Sequence, residues 1–289
     1  METLAVWGLG HIGASIVLAA RQRGLVETIL GHDLDPTVTA AMAPHLEPVS
    51  KPECLQHADL LILAVPPMAL ASCFERIGGW SKHPGVISDV ASVKEPVHRW
   101  ASTSLDEERL AGFVPAHPIA GNEGKGLVAA CADLFCNRPV VVTPSEITST
   151  QAVDRICSLW AGLGARPILM DAMEHDLLLA SLSHLPHALA FALARSSSMA
   201  MRQWEALGPL PSSFQGMVRI ARSDPELWSQ IFLLNREALL EQLDQLGKNI
   251  QDLQIALREG KLATIARWCA DSQIRCGQRQ PGMEGNTSD

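Results

Sequence analysis

Tyrosine is missing altogether from this 289-residue chain. Chance or base composition is the simplest account of that absence. Cysteine occurs seven times, at 54, 73, 131, 136, 157, 269 and 276, but never as Cys-x-x-Cys or in a zinc-like pairing. So scattered and odd a set argues against a disulfide framework and fits thiols in a reducing cytosol. Positive charge is short: 23 Lys and Arg stand against 31 Asp and Glu, a net −8. Nucleic acid is therefore not expected as a partner, because phosphate binding needs a basic face. No unbroken apolar run approaches the roughly 20 residues that cross a bilayer. Met1-Glu-Thr leads straight into an apolar strand, not into a signal peptide. A cytoplasmic protein with no membrane partner and no metal is expected.

What is present is globular: 47% apolar and 19% charged residues, in a chain long enough for two domains. The first half alternates short apolar runs with helix-sized segments. Leu4–Trp7, Thr28–His32, Asp59–Val65, Gly85–Val90, Phe113–Pro115, Pro139–Thr143 and Pro167–Met170 read as strands, and Ile12–Arg23 as a helix. Such alternation predicts βαβ units in a doubly wound parallel sheet, an α/β Rossmann-type domain over residues 1–170. From 171 to 276 the pattern turns helical, which predicts an all-helical second domain for substrate binding and dimerisation. Leu227–Leu257 reads as mostly one amphipathic helix, with Ile231, Leu234, Ala238, Leu239, Leu243, Leu246 and Ile250 as its stripe. A stripe that long suits a homodimer packed through this domain. Residues 277–289, rich in Gly, Gln, Asn and Ser, read as a disordered tail.

Gly8-Leu-Gly10-His-Ile-Gly13 follows the first strand and opens the first helix, the context that makes a Gly-x-Gly-x-x-Gly pattern informative. Gly8 permits the tight turn, Gly10 lets backbone approach a pyrophosphate, and Gly13 lets helix pack on sheet. The phosphates would rest on the free amides of the helix N-terminus. Asp33 ends the second strand, 20 residues after Gly13, where an acid binds ribose hydroxyls and repels a 2′-phosphate. NAD is thus favoured over NADP, a preference that His32 or Arg21 could soften. The expected cofactor residues are Gly8, Gly10, Ile12, Gly13 and Asp33. For Asp33 the alternative is a helix N-cap for the segment starting near Pro36.

Ser92 and His117 both follow strand ends, on the face where such sheets bind ligands. A neutral His117 could accept a hydroxyl proton as the carbon gives up hydride, with Ser92 holding the histidine or the hydroxyl. Taken singly, either could be a helix cap or an ordinary loop histidine.

The series Gly8–Gly13, Asp89-Val-Ala-Ser-Val-Lys94, His117-Pro-Ile-Ala-Gly-Asn-Glu123, His175-Asp176, Ser183-His-Leu-Pro-His187 and Arg219–Trp228 runs through nearly the whole chain. In this order it resembles the prephenate/arogenate dehydrogenase family of tyrosine biosynthesis. The resemblance implies oxidative decarboxylation of a cyclohexadienol, with hydride passing from C4 to nicotinamide and carbon dioxide leaving C1. It implies that His117 is the catalytic histidine and Ser92 its positioning serine. It further implies that Glu123, His184, His187, Arg219 and Trp228 line a pocket for a small dicarboxylate. Arg219 suits bidentate binding of the side-chain carboxylate. A tight clamp on the departing carboxylate would favour the ground state, so that group belongs in a less polar place. His184 and His187, three apart, face one way on a helix and would also suit a metal pair, but no matching Cys or acid cluster accompanies them. Ser212–Val218 departs from the family's usual Phe-Arg-Asp-like run and makes an altered substrate plausible.

Prephenate is the first expectation, with arogenate, dual use or an aminodeoxy analogue as alternatives. A β-hydroxyacid dehydrogenase would place a lysine where this chain reads Met170-Asp-Ala-Met-Glu-His-Asp176. A non-catalytic dinucleotide sensor would keep the glycines and Asp33 without needing Ser92 and His117.

Overall fold

The computed structural model describes residues 2–120, 124 and 126–277. The tail expected over 277–289 therefore lies almost wholly outside the described residues, and so does Glu123. The chain forms two compact units, Met1–Leu239 and Leu240–Asp289.

In the first unit, β1 (Thr3–Trp7), α1 (His11–Gln22), β2 (Thr28–His32), α2 (Pro36–Met42), β3 (Glu47–Pro48), β4 (Leu60–Leu63), α3 (Leu70–Gly78) and β5 (Val86–Asp89) follow in turn. They build a five-stranded sheet in the order β3-β2-β1-β4-β5, with every pair parallel. Successive side chains of a strand point to opposite faces. Accordingly Leu4, Val6, Leu60 and Ile62 enter one buried cluster, and Ala5, Trp7, Leu61 and Leu63 enter the other. This is why β4 reads as an unbroken apolar run: both of its faces are covered. Truncating such a side chain to alanine costs about 2–5 kcal/mol.

α4 (Glu95–Ser104) and α5 (Glu107–Ala111) lead to a second sheet of β6 (Ala116–Pro118), β7 (Pro139–Val142) and β8 (Arg166–Leu169), with α6 (Thr150–Gly162) joining the last two. Here the sequence expectation needs correction. Residues 113–115 are not a strand: Phe113 makes one parallel bridge to Ile87, and the strand begins at Ala116. β6 pairs antiparallel with β7, and β7 parallel with β8, so these segments form a separate mixed sheet.

Helices follow: α7 (Ala172–Leu179), a π-helical turn over Ala180–His184, α8 (Leu185–Ser196), α9 (Ser198–Glu205), α10 (Ser212–Val218), α11 (Pro225–Leu234), α12 (Arg236–Arg258) and α13 (Leu262–Gly277). No strand follows Leu169 among the described residues. A Rossmann-type domain followed by helices is the architecture. The expected division at 170/171 falls inside the first unit, where side chains from both stretches meet, and remains a proposal.

α7, the π turn and α8 continue as one helix, Ala172–Ser196, long and apolar enough by length and composition to cross a membrane. His175, Asp176, His184 and His187 punctuate it, so it contains no unbroken apolar run of that length. The long helix expected over 227–257 is broken at Asn235, where α11 ends (φ −110°, ψ 32°). Ser212–Val218, the run that departs from the family's pattern, is helix α10. In the second unit, α12 and α13 are joined through Gly260, whose φ of +62° favours glycine.

Candidate active site

The glycine-rich turn sits where the strand order reverses, between β1 and β4, at their carboxyl ends. Gly8 has φ +97°, and a Cβ there would stand 2.4 Å from the Ala64 carbonyl oxygen. A Cβ on Gly13 would meet the Gly8 carbonyl oxygen at 1.9 Å. Gly10 differs: nothing lies within 4 Å of its Cβ position. α1 starts there with no side-chain cap and no acid in its first turn. Free amides facing open space fit an anionic pyrophosphate. Ile12 is half-buried against the core.

Asp33 is engaged with the backbone. Its Oδ2 accepts from Leu9 N–H (2.7 Å) and its Oδ1 from Asp35 N–H (2.9 Å). The carboxylate thus steadies the glycine turn and retains lone pairs for ribose hydroxyls. Capping of α2 falls to Asp35, which accepts from Thr37 N–H at 2.8 Å. His32 is buried and donates from Nδ1 to the Val49 carbonyl (3.1 Å). Arg21 lies in the last turn of α1, about 15 Å along the axis from its start.

The bridge between Ile87 and Phe113 is parallel, so the chain continues alongside β5. His117, four residues on, follows Ala116, whose carbonyl is tied through Lys94 to Asp89 at the carboxyl end of β5. The tie is a buried ion pair: Lys94 Nζ donates to Asp89 Oδ2 (2.6 Å) and to the Ala116 carbonyl (2.7 Å), both side chains fully enclosed. Burial lowers the Lys94 pKa, while the Asp89 carboxylate opposes that shift. Ser92, in the turn after β5, is half-buried. It makes no hydrogen bond to His117 among the described residues.

The imidazole of His117 is held by His175. His117 Nδ1 lies 2.8 Å from His175 Nε2, and His175 Nδ1 lies 2.8 Å from Asp176 Oδ1. Asp176 also accepts from Lys94 N–H (2.8 Å) and Glu95 N–H (2.9 Å), capping α4 from 82 and 81 residues away. Burial drives the His117 pKa well below 6.5, and the neighbouring His175, Lys94 and His184 push it the same way. The ring is therefore neutral at pH 7.

Next to this group, His184 and His187 gather with Asn235 and Trp228. Asn235 Nδ2 donates to the Asp176 carbonyl (2.7 Å) and to His184 Nδ1 (3.1 Å). His184 must then carry its proton on Nε2, which is buried without a partner among the described residues. Burial lowers its pKa to about 4. His187 donates from Nδ1 to the Ser183 carbonyl (2.8 Å) and stacks on Trp228, ring centroids 3.5 Å apart. Its pKa is also lowered by burial. Trp228 also meets His184 edge-to-face at 6.0 Å and Phe232 at a tilt at 5.5 Å. The helix carrying Trp228 docks beside the crevice, where Gln230 Oε1 accepts from Met68 N–H (3.1 Å) just after β4. Arg219 is exposed, on a 3-10 turn (Arg219–Arg222) that packs on α8. No group of three or more His, Cys, Asp or Glu side chains suited to a metal gathers among the described residues.

Four residues had drawn no role from sequence: Lys94, His175, Asp176 and Asn235. Asn235 did leave a signal, being the polar member of the phase Ile231, Asn235, Leu239. His11 left none. It opens α1 with its Nε2 buried and unpartnered among the described residues, and burial lowers its pKa.

The family model described as prephenate dehydrogenase, nucleotide-binding domain, matches residues 16–169. The model described as prephenate dehydrogenase, dimerization domain, matches 171–271. Among curated proteins the chain is similar to cyclohexadienyl dehydrogenase of Zymomonas mobilis, 33% identical over 265 residues that cover 88% of each chain. Among solved structures it is similar to Synechocystis arogenate dehydrogenase, with TM-score 0.77, 27% identity and coverage of 95% of this chain and 98% of that one. Its fold also matches Aquifex aeolicus prephenate dehydrogenase in complex with hydroxyphenyl propionate and NAD+, with TM-score 0.84, 24% identity and coverage of 96% and 97%. A nucleotide-binding model and a dimerization model matched in order along one sequence show that this chain belongs to the prephenate dehydrogenase family.

Proposed function

We propose that the chain catalyses NAD-dependent oxidative decarboxylation of prephenate to 4-hydroxyphenylpyruvate, in the cytoplasm, as a homodimer. One observation carries this reading: a buried His117, its pKa lowered by burial, at the carboxyl edge of the nucleotide-binding sheet, with Nδ1 engaged by His175. NAD, when bound, supplies the nicotinamide that takes hydride from C4 of the substrate. His117 Nε2 takes the C4 hydroxyl proton, worth about 10²–10⁴-fold in rate. Ser92, in the turn beside it, orients the hydroxyl. Loss of carbon dioxide from C1 then leaves an aromatic ring, which makes the step effectively irreversible.

Gly8, Gly10, Ile12 and Gly13 form the pyrophosphate cradle, and Asp33 selects NAD by repelling a 2′-phosphate. Arg219 binds the side-chain carboxylate, and Glu123 contributes from the segment after β6. His184, His187 and Trp228 form an aromatic wall beside the ring. Residues 1–170 serve as the dinucleotide domain and 171–276 as the substrate and dimerisation domain. The apolar side chains left exposed on α7 and the π turn support the dimer. Similarity to the Synechocystis arogenate dehydrogenase and the Zymomonas cyclohexadienyl dehydrogenase favours a second reading, in which arogenate is also used.

Steady-state kinetics with prephenate and arogenate, each with NAD and NADP, test both readings. Prephenate with NAD is expected to give the highest kcat/KM, with one carbon dioxide released per nicotinamide reduced. Failure to reduce either nucleotide with both substrates would overturn the assignment.

A further inference from the structure

His117 can act as a base only if the proton of its neutral ring sits on Nδ1. In an imidazole the proton's position is set by the hydrogen bond that the opposite nitrogen makes. The packing around His117 dictates that choice through two further side chains.

We propose that His175 and Asp176 are positioning residues that lock His117 in its Nδ1–H tautomer, so that Nε2 is permanently the proton acceptor. The inference rests on the reading of His117 as the base and names what makes it one. The argument starts at Asp176. Its two carboxylate oxygens accept backbone N–H groups from Lys94 (2.8 Å) and Glu95 (2.9 Å) at the start of α4. Both bonds need oxygen lone pairs, and the helix N-terminus favours a negative charge, so the group is held as a carboxylate. A carboxylate has no proton to give. At 2.8 Å from Asp176 Oδ1, His175 Nδ1 must therefore be the donor. A neutral His175 then has a bare Nε2. His117 Nδ1, 2.8 Å from that nitrogen, must be the donor in turn. The other assignment would set a bare His175 Nδ1 against the carboxylate, two acceptors in repulsive contact.

The lock is rigid as well as directional. His175 is fully buried, Asp176 nearly so, and the Asp176 carbonyl is held by Asn235 Nδ2 at 2.7 Å. The carboxylate that aims the base also caps the helix after the Ser92 turn, so base and turn share one anchor. The logic parallels the carboxylate that orients the histidine of serine hydrolases.

Nitrogen-15 NMR of the histidine-labelled full-length protein tests this directly, with His117 assigned by its loss in His117→Gln. At pH 7.5 the wild type is expected to show His117 protonated at Nδ1 and bare at Nε2. A proton on Nε2, or a doubly protonated His175, would overturn the proposal. His175→Leu removes the acceptor; kcat is expected to fall roughly 10²-fold, with NAD affinity unchanged and KM little moved. His175→Gln keeps an acceptor oxygen and is expected to recover most of kcat and the Nδ1–H signal. A His175→Leu protein retaining kcat within about twofold would overturn it too. Should that variant fail to fold, the wild-type spectrum and His175→Gln still decide. Since the spectrum needs no turnover, failure on both cyclohexadienols would sink the activity assignment without touching the tautomer result.

Discussion

The nucleotide-binding sheet and the helix Ala172–Ser196 are both rich in leucine, isoleucine, valine and alanine, yet they dispose of those side chains differently. In β1 and β4 every apolar residue from Leu4 to Trp7 and from Leu60 to Leu63 is buried, because helices cover both faces of a parallel sheet. Along the helix the buried positions include the polar residues His175, Asp176 and His184, while Leu182 is 76% exposed and Met173 60%. The sheet completes its core within one chain. The helix uses its inner face for a polar network and leaves apolar surface unmatched. The family model described as a dimerization domain covers the same residues. Apolar content alone therefore does not say where a core lies; what covers it does.

Four experiments sharpen this contrast. The largest effect is expected inside the polar network: His117→Asn should lower kcat about 10²–10⁴-fold while NAD binding stays intact. Equal activity in the variant would return the chain to the sensor reading. Next comes the sheet side, where two glycines three apart should respond oppositely. Gly13→Ala drives a Cβ toward the Gly8 carbonyl and should destabilise by about 1–3 kcal/mol or more, seen as a lower Tm. Gly10→Ala meets open space and should leave Tm alone, while weakening NAD binding about tenfold, ~1.4 kcal/mol, by calorimetry. Identical behaviour of the two would mean that Gly10 faces no ligand.

On the helix side, Leu182→Glu alters a side chain already open to solvent in the single chain. Sedimentation should show a dimer Kd raised by about tenfold or more with the helical circular dichroism unchanged. A dimer as tight as the wild type would place the interface elsewhere. The smallest effect is the pH dependence. His117, His184 and His187 have pKa values lowered by burial, His184 to about 4, against about 6.5 when unfolded. Their contribution to stability is complete above 6.5 and lost as pH falls through the folded values, because the unfolded chain takes up protons first. Tm should therefore decline between pH 6.5 and 4, less steeply in His184→Gln. The acid limb of kcat/KM should lie well below 6.5, where an unperturbed histidine would have put it.

Strands set by apolar runs were legible to within a residue or two, as were the glycine turn and the switch to helices after 170. Each of those signals is local: a period of two, a Gly-x-Gly-x-x-Gly, a helical stripe. Residues 113–115 were misread because Phe113, Val114 and Pro115 suit a strand by composition, while pairing partners exist only from Ala116 onward. The break at Asn235 was missed because its reason lies 59 residues upstream, in the Asp176 carbonyl. Of the candidate site, His117 stood out by motif, but its partner did not. Ser92 was expected to hold either the histidine or the substrate hydroxyl, and the hydrogen bond to the His117 ring is made with His175.

By itself the amino-acid order determined the Rossmann-type frame, the nucleotide cradle and the family, since each rests on short-range spacing that the backbone must obey. Only the tertiary structure decided which nitrogen of His117 meets His175 and which acid stands behind that pair. Those outcomes depend on hydrogen bonds between residues 58 and 82 positions apart, which are settled only when separate elements pack.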